Sequence, residues 1–537
     1  MKPRAYFEIL GLAHLLILPF IAPLLMPHNA ALLHLRLAFG PLLLGLLLDA
    51  LAVFVVGVAA MLVARRLAPR PRVILIAVLS GLVCWWLGVC ACLAVEQLSP
   101  NAWAHGLVQF ADRAQGLLLN LNFAIPAFFA AMAILRPAAV YAIAGWMRLG
   151  LAAFSTCALW VVPQLLYVSS LHPIRSFDHS ASIPDAGSHR RIVWILMDEL
   201  SQDMVFDHPL SGASYPNLAH LRASSVVLDQ IAPVGASTDR IIPSLLQGTL
   251  LDSVRTDSEG NLLVHSVATG KWSPYDAGNS LFSQARDGGW NPGVAGWYNP
   301  YCRIFHSVLT SCSWRPGIQS LLPLQMMGAS QSRPAWQNAL VLPAFFVSRF
   351  WSVRGPSENL RQDNLDDFKT VLERSKRLVA NDKIHFVYLH LPVPHPPGLY
   401  DRRTHQLCAC GNYIDNLTLA DDTLAVLLHS IDASPSAGQT TVILSSDHSW
   451  RPEQWKTEPF WTEEEDRIAQ HFSDARPVFL VRFPGQQQQV DVTAPVPELA
   501  EHDLIAGMLD GKISTADGLV RAVPSAASAA AQTPGLH

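Results

Sequence analysis

Five apolar stretches precede Ser170, each long enough as a helix to cross a bilayer core of about 30 Å. They run Phe7–Met26, Phe39–Ala64, Val73–Val95, Leu117–Leu135 and Tyr141–Val168, each with at most an isolated polar or ionisable residue inside. Buried helices of a soluble domain seldom occur five in succession without polar faces, so these read as a multi-span α-helical membrane domain over residues 1–170. The charged share of the chain is 15%, against about a quarter in soluble domains. That shortage is local, because from about Arg190 to Asp510 the chain reads as an ordinary globular domain. A net charge of -4 gives no reason to expect nucleic acid as a partner.

Lys2 and Arg4 precede the first span, Arg65, Arg66, Arg70 and Arg72 fill the second loop, and Arg136 and Arg148 flank the fourth, all on one side. The positive-inside bias makes that side cytoplasmic and sends everything after Leu171 to the extracytoplasmic face. The first span is too long for a removed signal peptide and lacks a small-residue cleavage site, so it stays as an anchor. Asp49, inside the second span, reads either as a polar contact in a substrate path or as a hydrogen-bonding partner of a neighbouring helix. Glu96–Gln115 mixes aromatic and polar positions as an interfacial helix would. Cys302, Cys312, Cys408 and Cys410 lie in the exported half, where disulfides are permitted. Cys302 with Cys312 closes a short loop, and pairing of either with Cys408 or Cys410 is the alternative.

Residues 171–189, polar with Pro173, Pro184 and Gly187, suit a linker leaving the membrane. The apolar runs Ile192–Met197, His385–Leu391 and Thr441–Leu444 have the pattern of central strands covered on both faces. Pro477–Phe483 is a further strand. Helical patterns at Leu360–Val379 and Tyr413–Ile431 intervene, which makes 190–515 an α/β layered domain with a central, mostly parallel sheet. Leu340–Trp351 is too short to span a bilayer and reads as a core helix ahead of a membrane-docking one. The Ala-, Ser- and Pro-rich end, within 516–537, reads as a disordered tail.

Two strands end in acid: the first runs into Asp198 and Glu199, and the run ending at Ser446 continues into Asp447 and His448. Ligands collect beyond the carboxyl ends of strands in open α/β sheets, so the two pairs can converge. Carboxylates with an imidazole suit one divalent ion, zinc or manganese ahead of magnesium or calcium; the bland alternative is that they cap the next helices. Between them Ser237, Thr238 and Asp239 start a helix that continues through Pro243, a residue suited only to a first turn. A hydroxyl there is either a plain N-cap or, beside a metal, a nucleophile.

The phrases WILMDEL, YPNLAHL, STDRIIPSLLQG, YLHLPVPHPP, YIDNLTLADDTLAVLL, LSSDHSWR and RPVFLVRFPGQ, in that order from Ile192 to about Leu509, resemble the sulfatase-like branch of the alkaline phosphatase superfamily. That branch includes sulfatases, lipoteichoic acid synthases and phosphoethanolamine transferases. The resemblance implies Asp198, Glu199, Asp447 and His448 as metal ligands and Thr238 as metal-bound nucleophile. It implies His395 as the histidine that protonates a leaving group, with His390 as its rival or simply a strand residue facing the core. Arg240 and Arg451 sit where phosphate oxygens would be bound, unless they are solvated surface arginines. The chain departs from true sulfatases, whose nucleophile is Cys or Ser followed by x-Pro-x-Arg, and it lacks the acidic, disulfide-laden signatures of phosphoethanolamine transferases around Asp447.

The resemblance, with the membrane anchor and the threonine, implies a transferase in a bacterial inner membrane with a periplasmic catalytic domain. It would take a phosphorylated head group, of phosphoethanolamine or phosphoglycerol type, from a membrane phospholipid donor to an envelope glycan or lipid acceptor. A metal-dependent phosphatase, phosphodiesterase or sulfatase-type hydrolase is the rival enzyme reading, and a non-catalytic member of an envelope polysaccharide assembly is the rival of another class. The oligomeric state is left open. Because the basic loops alternate with loops carrying only Arg36 or Arg113, a phosphatase reporter fused after Ser188 should be active and one fused after Arg66 inactive. Activity after Arg66 would reverse the topology.

Overall fold

A computed structural model describes residues 3–25, 40–98, 115–170, 176–183, 190–210, 213–257, 261–315, 336, 339, 357–458 and 460–531. The chain divides into two compact units, the first holding the described helices up to residue 170 and the second the described residues from 176 to 315 and from 357 to 531. Leu340–Trp351 and most of Glu96–Gln115 lie outside the described residues.

In the first unit, helices occupy Pro3–Leu25, Gly40–Arg66, Pro69–Leu98, Gln115–Leu135 and Pro137–Phe154, the last continuing through a 3-10 turn at Ser155–Cys157 into Ala158–Ser170. Three stretches among the described residues are long and apolar enough to cross a membrane: Leu44–Arg66, Pro69–Gly88 and Pro137–Tyr167. They anchor the protein in a membrane. Leu47, Leu51, Val55 and Val56 are all more than half exposed, as lipid-facing side chains would be. Glu8 pairs with Arg4 at 3.2 Å and with Arg148 at 2.8 Å, which gathers two of the basic residues of the topology argument at one end of this unit.

The second unit is built on a nine-stranded sheet. Its strands are β1 (Phe177–Asp178), β2 (Arg191–Met197), β3 (Val226–Leu228), β4 (Pro292–Trp297), β5 (Ser311–Arg315), β6 (Phe386–Leu391), β7 (Thr440–Ser445), β8 (Phe479–Arg482) and β9 (Val490–Val492). The spatial order is β1-β5-β4-β6-β2-β7-β8-β3-β9. The run from β5 to β7 is parallel throughout, while β8 is antiparallel to both neighbours. Every residue of β2, β6 and β7 is buried, as the unbroken apolar runs require of strands with cores on both faces. One core lies under helices Ser357–Val379 and Tyr413–Asp432 and the other under helices Thr238–Gln247, Ala500–Leu509 and Ala516–Ala531.

Two sequence expectations are corrected. The linker is not free along its length, because β1 within it pairs with Ser311 and Cys312 of β5 and Ser180 is buried. Residues 516–531 are not a disordered tail but a helix that buries Leu519, Val523, Ala526 and Ala530. Alanine has the best helix propensity, and the buried positions recur on one helical face; a composition rich in Ala, Ser and Pro hides that stripe.

Glu498 and Glu501 are fully buried beneath the second core, with Glu498 Oε2 accepting the Val234 N–H at 2.8 Å and both Glu501 oxygens unpartnered. Burial raises both carboxyls well above the usual range, and the nearby Glu498 raises Glu501 further. A carboxyl whose folded pKa exceeds its unfolded value stabilises fully below the unfolded value, and that stability is lost as pH rises through the folded one. Glu501→Gln should therefore change thermal stability little near pH 5 and stabilise increasingly toward pH 9, by ~1 kcal/mol or about 2–4 °C. A larger gain at the acid end would show the carboxyl to be ionised in the folded chain.

Candidate functional site

The order of the parallel strands reverses at β2: β6, β4 and β5 lie on one side of it and β7 on the other. The crevice beyond the carboxyl end of such a strand is the usual ligand site. Leu196 pairs with Ser445, so Asp198 and Asp447, each two residues further on, leave the sheet level with each other. Both are fully buried, as is Glu199, and His448 is nearly so. Glu199 turns through a φ of 66°, a left-handed conformation uncommon outside glycine and frequent at functional sites. That turn sets its N–H 3.3 Å from Asp447 Oδ1.

His448 donates Nδ1–H to the Ser449 carbonyl at 3.0 Å, which leaves Nε2 as an acceptor. Nε2 nevertheless faces Asp447 Oδ2 at 3.2 Å and Asp198 Oδ1 at 3.8 Å. Both carboxylate oxygens are buried without a hydrogen-bond partner. Burial raises the Asp198 carboxyl well above its usual range and Asp447 raises it further; burial likewise raises Asp447 and pushes His448 well below the ordinary imidazole value. With both acids ionised and the imidazole neutral, three lone pairs converge with no hydrogen between them, and unpaired buried charges cost several kcal/mol each. Two carboxylates and a neutral imidazole fit a divalent cation, which removes the repulsion. The three ligand atoms lie within 4.8 Å of one another.

Thr238 opens helix Thr238–Gln247, with Ser237 at the N-cap and Gly248, left-handed at φ 65°, closing it. Its Oγ1 is 3.4 Å from Asp198 Oδ2 and 3.2 Å from His448 Nε2, so one hydroxyl proton faces two acceptors at the edge of the cation site. Ser237 Oγ instead donates to Asp239. Pro243 sits beyond the first turn, inside the helix, where its missing N–H forgoes one helical bond; burial of Ile241, Ile242, Leu245 and Leu246 keeps the helix in place.

The other expected residues separate into two groups. Glu199 is not among the converging atoms of Asp198, Asp447 and His448 but forms, with Asp198 and His395, a second group whose ligand atoms lie within 4.8 Å of one another; its Oε1 accepts from Arg451 Nε at 2.8 Å and Nη2 at 2.5 Å and from Trp455 Nε1 at 2.9 Å. Burial pushes its carboxyl up to about 7, with Arg451 opposing. Arg451, expected on phosphate oxygens, is committed to Glu199 and, through Nη1, to the Ala236 carbonyl at 2.6 Å. Arg240 is bonded to the Asp252 carbonyl at 3.1 Å and paired with Asp239, neither of which belongs to the cluster. His395 is at the site: its backbone N–H donates to the Asp198 backbone carbonyl at 3.1 Å, and its ring stands between Trp297 and Trp455 with centroids 5.1 and 4.9 Å away. Nδ1–H is directed to the Pro396 carbonyl, which makes Nε2 the unprotonated nitrogen of a neutral ring. Burial, Arg451 and His448 hold the ring well below its ordinary pKa. His390 is fully buried on β6 with Nε2 3.3 Å from Asp198 Oδ2, and burial lowers it to about 4.

Sequence reasoning missed the segment from Trp297 to Tyr301, which lines the His390 and His395 side of the site, and Trp455, which closes over Glu199. Tyr298, with φ 64°, shares with Glu199 the left-handed backbone. No apolar periodicity or acidic strand end marks these residues, and the aromatic clustering of WYNPY is their only signal. The disulfides are Cys302–Cys312 and Cys408–Cys410, so the cross-pairings are not used.

A family model described as Sulfatase matches residues 190–510. No curated protein matches the sequence. Similar solved structures include a protein in the alkaline phosphatase superfamily from Vibrio parahaemolyticus, at 15% identity over 63% of this chain and 70% of that one, TM-score 0.34. A sulfatase from Pseudoalteromonas sp. is 14% identical over 60% and 68%, TM-score 0.39. A phosphonate monoester hydrolase from Silicibacter pomeroyi is 13% identical over 60% and 73%, TM-score 0.34.

The geometry predicts that Asp198→Ala and Asp447→Ala each abolish stoichiometric divalent metal in the purified protein, measured by elemental analysis. Glu199→Gln should retain most of it, since Arg451 and Trp455 already hold that carboxylate. Loss of metal in Glu199→Gln equal to that in Asp447→Ala would place Glu199 among the ligands.

Proposed function

The chain belongs to the Sulfatase family, whose match spans most of its second unit, and we propose that this enzyme is a membrane-bound transferase of phosphorylated head groups. The donor is a membrane phospholipid, of phosphoethanolamine or phosphoglycerol type, and the acceptor an envelope glycan or lipid. The observation that carries the reading is the Thr238 hydroxyl, placed at a helix N-terminus between Asp198 Oδ2 and His448 Nε2. A threonine cannot take the cysteine or serine path to the formylglycine of sulfate-ester cleavage, but its alcohol can form a phosphate ester.

Asp198, Asp447 and His448 would hold the divalent ion, with Thr238 beside it. Such an ion lowers the pKa of an adjacent hydroxyl and offsets charge on phosphoryl oxygens. Thr238 Oγ1 attacks phosphorus, and the bond from phosphorus to the diacylglycerol oxygen breaks. His395 Nε2, the unprotonated nitrogen when Nδ1–H faces the Pro396 carbonyl, takes the proton that Thr238 gives up and passes it to the departing oxygen. In the second displacement His395 takes the proton of the acceptor hydroxyl as that oxygen attacks the phosphothreonine, and Thr238 recovers a proton as it leaves. Proton and phosphoryl group are thus conserved over the cycle. Arg451 keeps the Glu199 turn tied to the nucleophile loop through Ala236. The three large spans would be part of a five-pass, inner-membrane anchor that presents this domain to the periplasm.

The test is head-group transfer from a labelled phospholipid. Thr238→Ala should lower turnover by about three orders of magnitude or more while metal stays largely bound through the two aspartates and His448. Thr238→Ser should keep part of the activity, and Ser237→Ala most of it. A mass increment on Thr238 after exposure to lipid would identify the head group; full activity in Thr238→Ala would end the covalent mechanism.

A further inference from the structure

The Asp198 carboxylate is held from behind by hydrogen bonds that the chemistry above does not use. His390 Nε2 is 3.3 Å from Asp198 Oδ2, and its Nδ1 is 2.8 Å from the Tyr301 hydroxyl, which lies 3.3 Å from the Tyr388 hydroxyl. All four residues are fully buried, so water does not compete for these groups. An ionised carboxylate only accepts, so His390 Nε2 carries the proton. A neutral imidazole has one N–H, so Nδ1 is the acceptor and Tyr301 donates to it; Tyr388 then donates to Tyr301. Every hydrogen in the chain points toward Asp198.

Tyr301 opens the four-residue helix Tyr301–Ile304. The next residue, Cys302, is bonded to Cys312 on β5, with Cα atoms 5.5 Å apart. The disulfide therefore fastens the short helix to the sheet one residue away from the hydroxyl that faces His390. Helices this short have little stability of their own, so that tether adds to the burial of the Tyr301 ring against Phe305 and Tyr388 in holding Tyr301.

We propose that Tyr301 is a positioning residue for the metal site: it fixes His390 as the Nε2–H tautomer, His390 holds Asp198 Oδ2, and Oδ1 is thereby turned toward the cation, with the Cys302–Cys312 disulfide keeping Tyr301 in place. This rests on the reading of Asp198 as a metal ligand and is independent of which phosphoryl donor is used. Hydrogen-bond partners of metal ligands fix tautomer and orientation, and their removal typically weakens metal binding by about 10–100-fold.

The experiment uses the full chain in detergent with Co2+ alone as probe, reading the dissociation constant by chelator competition and the visible absorption of the bound ion. Tyr301→Phe keeps the ring and its packing and removes only the donor, so affinity should fall by about 10-fold or more with a changed absorption spectrum. Tyr388→Phe also deletes one buried hydroxyl but leaves Tyr301 its proton to donate, and should bind Co2+ nearly as the parent does. His390→Gln, whose amide offers one donor and one acceptor, should bind more tightly than His390→Leu. Cys302→Ala with Cys312→Ala should weaken binding, whereas Cys408→Ala with Cys410→Ala should not. Equal losses in Tyr301→Phe and Tyr388→Phe, or equal affinities in His390→Gln and His390→Leu, would reduce the network to ordinary packing and overturn the proposal. A parent chain that binds no Co2+ would remove the metal site and this role together. The expected ranking in a chain that transfers no phosphoryl group would remove the transferase reading alone.

Discussion

Two carboxylates leave neighbouring parallel strands at the same level, and their mutual repulsion in a crevice closed to water conditions everything around them. Asp198 and Asp447 are both fully buried. Each has one oxygen engaged by a donor: His390 and Thr238 approach Asp198 Oδ2, and the Glu199 N–H approaches Asp447 Oδ1. The other oxygen of each is left facing the His448 lone pair. This one-sided satisfaction orients the carboxylates without neutralising them. A third carboxylate, Glu199, is treated differently, because Arg451 supplies a full charge through a planar fork that cannot deprotonate. One negative charge has a permanent counterion built into the chain, whereas the other two each turn an oxygen toward a place that an exchangeable cation could take.

The Glu199 arrangement also changes what Arg451 can do. Read along the sequence, an arginine four residues after a metal-binding aspartate invites a role on phosphate. In space its Nε and Nη2 are spent on Glu199 and its Nη1 on the Ala236 carbonyl. It thus joins the end of β2 to the loop that carries Thr238, and removing it would leave a buried carboxylate unpaired. Charge placed for structure and charge placed for substrate look alike in a sequence, since each is an arginine near acid.

The parts legible in the sequence are those whose physics is local. Ile192–Met197 and Thr441–Leu444 read as strands because a short unbroken apolar run bounded by polar or charged residues suits a strand buried on both faces, and the acids that end them follow directly. Thr238 is legible through capping chemistry and the phrase around it. The strand Pro292–Trp297, with two glycines and a leading proline, has poor intrinsic β-propensity and exists through pairing with β5 and β6. β1 is two residues long and is likewise made by its partner. Tyr301 could not be found by any periodicity, since its role is set by a contact 89 residues away in the chain. The final helix was obscured because alanine is at once an excellent helix former and a residue common in disordered tails.

Why Thr238 and not its neighbour Ser237 faces the cation site follows from how the loop before it is held. Adjacent residues in a helix point about 100° apart, so only one of the two hydroxyls can face Asp198 and His448. The choice is fixed from outside the helix at three points. Glu498 accepts the Val234 N–H, Arg451 donates to the Ala236 carbonyl, and Ile241, Ile242, Leu245 and Leu246 bury the helix face beyond. Ser237 is turned toward Asp239, which takes its hydroxyl proton, while Thr238 is turned inward and 7% exposed. Its β-branch restricts χ1 further, so its oxygen has few orientations left to lose. In the transfer we propose, holding a weakly nucleophilic alcohol ready in advance lowers the entropic part of the barrier that its acidity cannot.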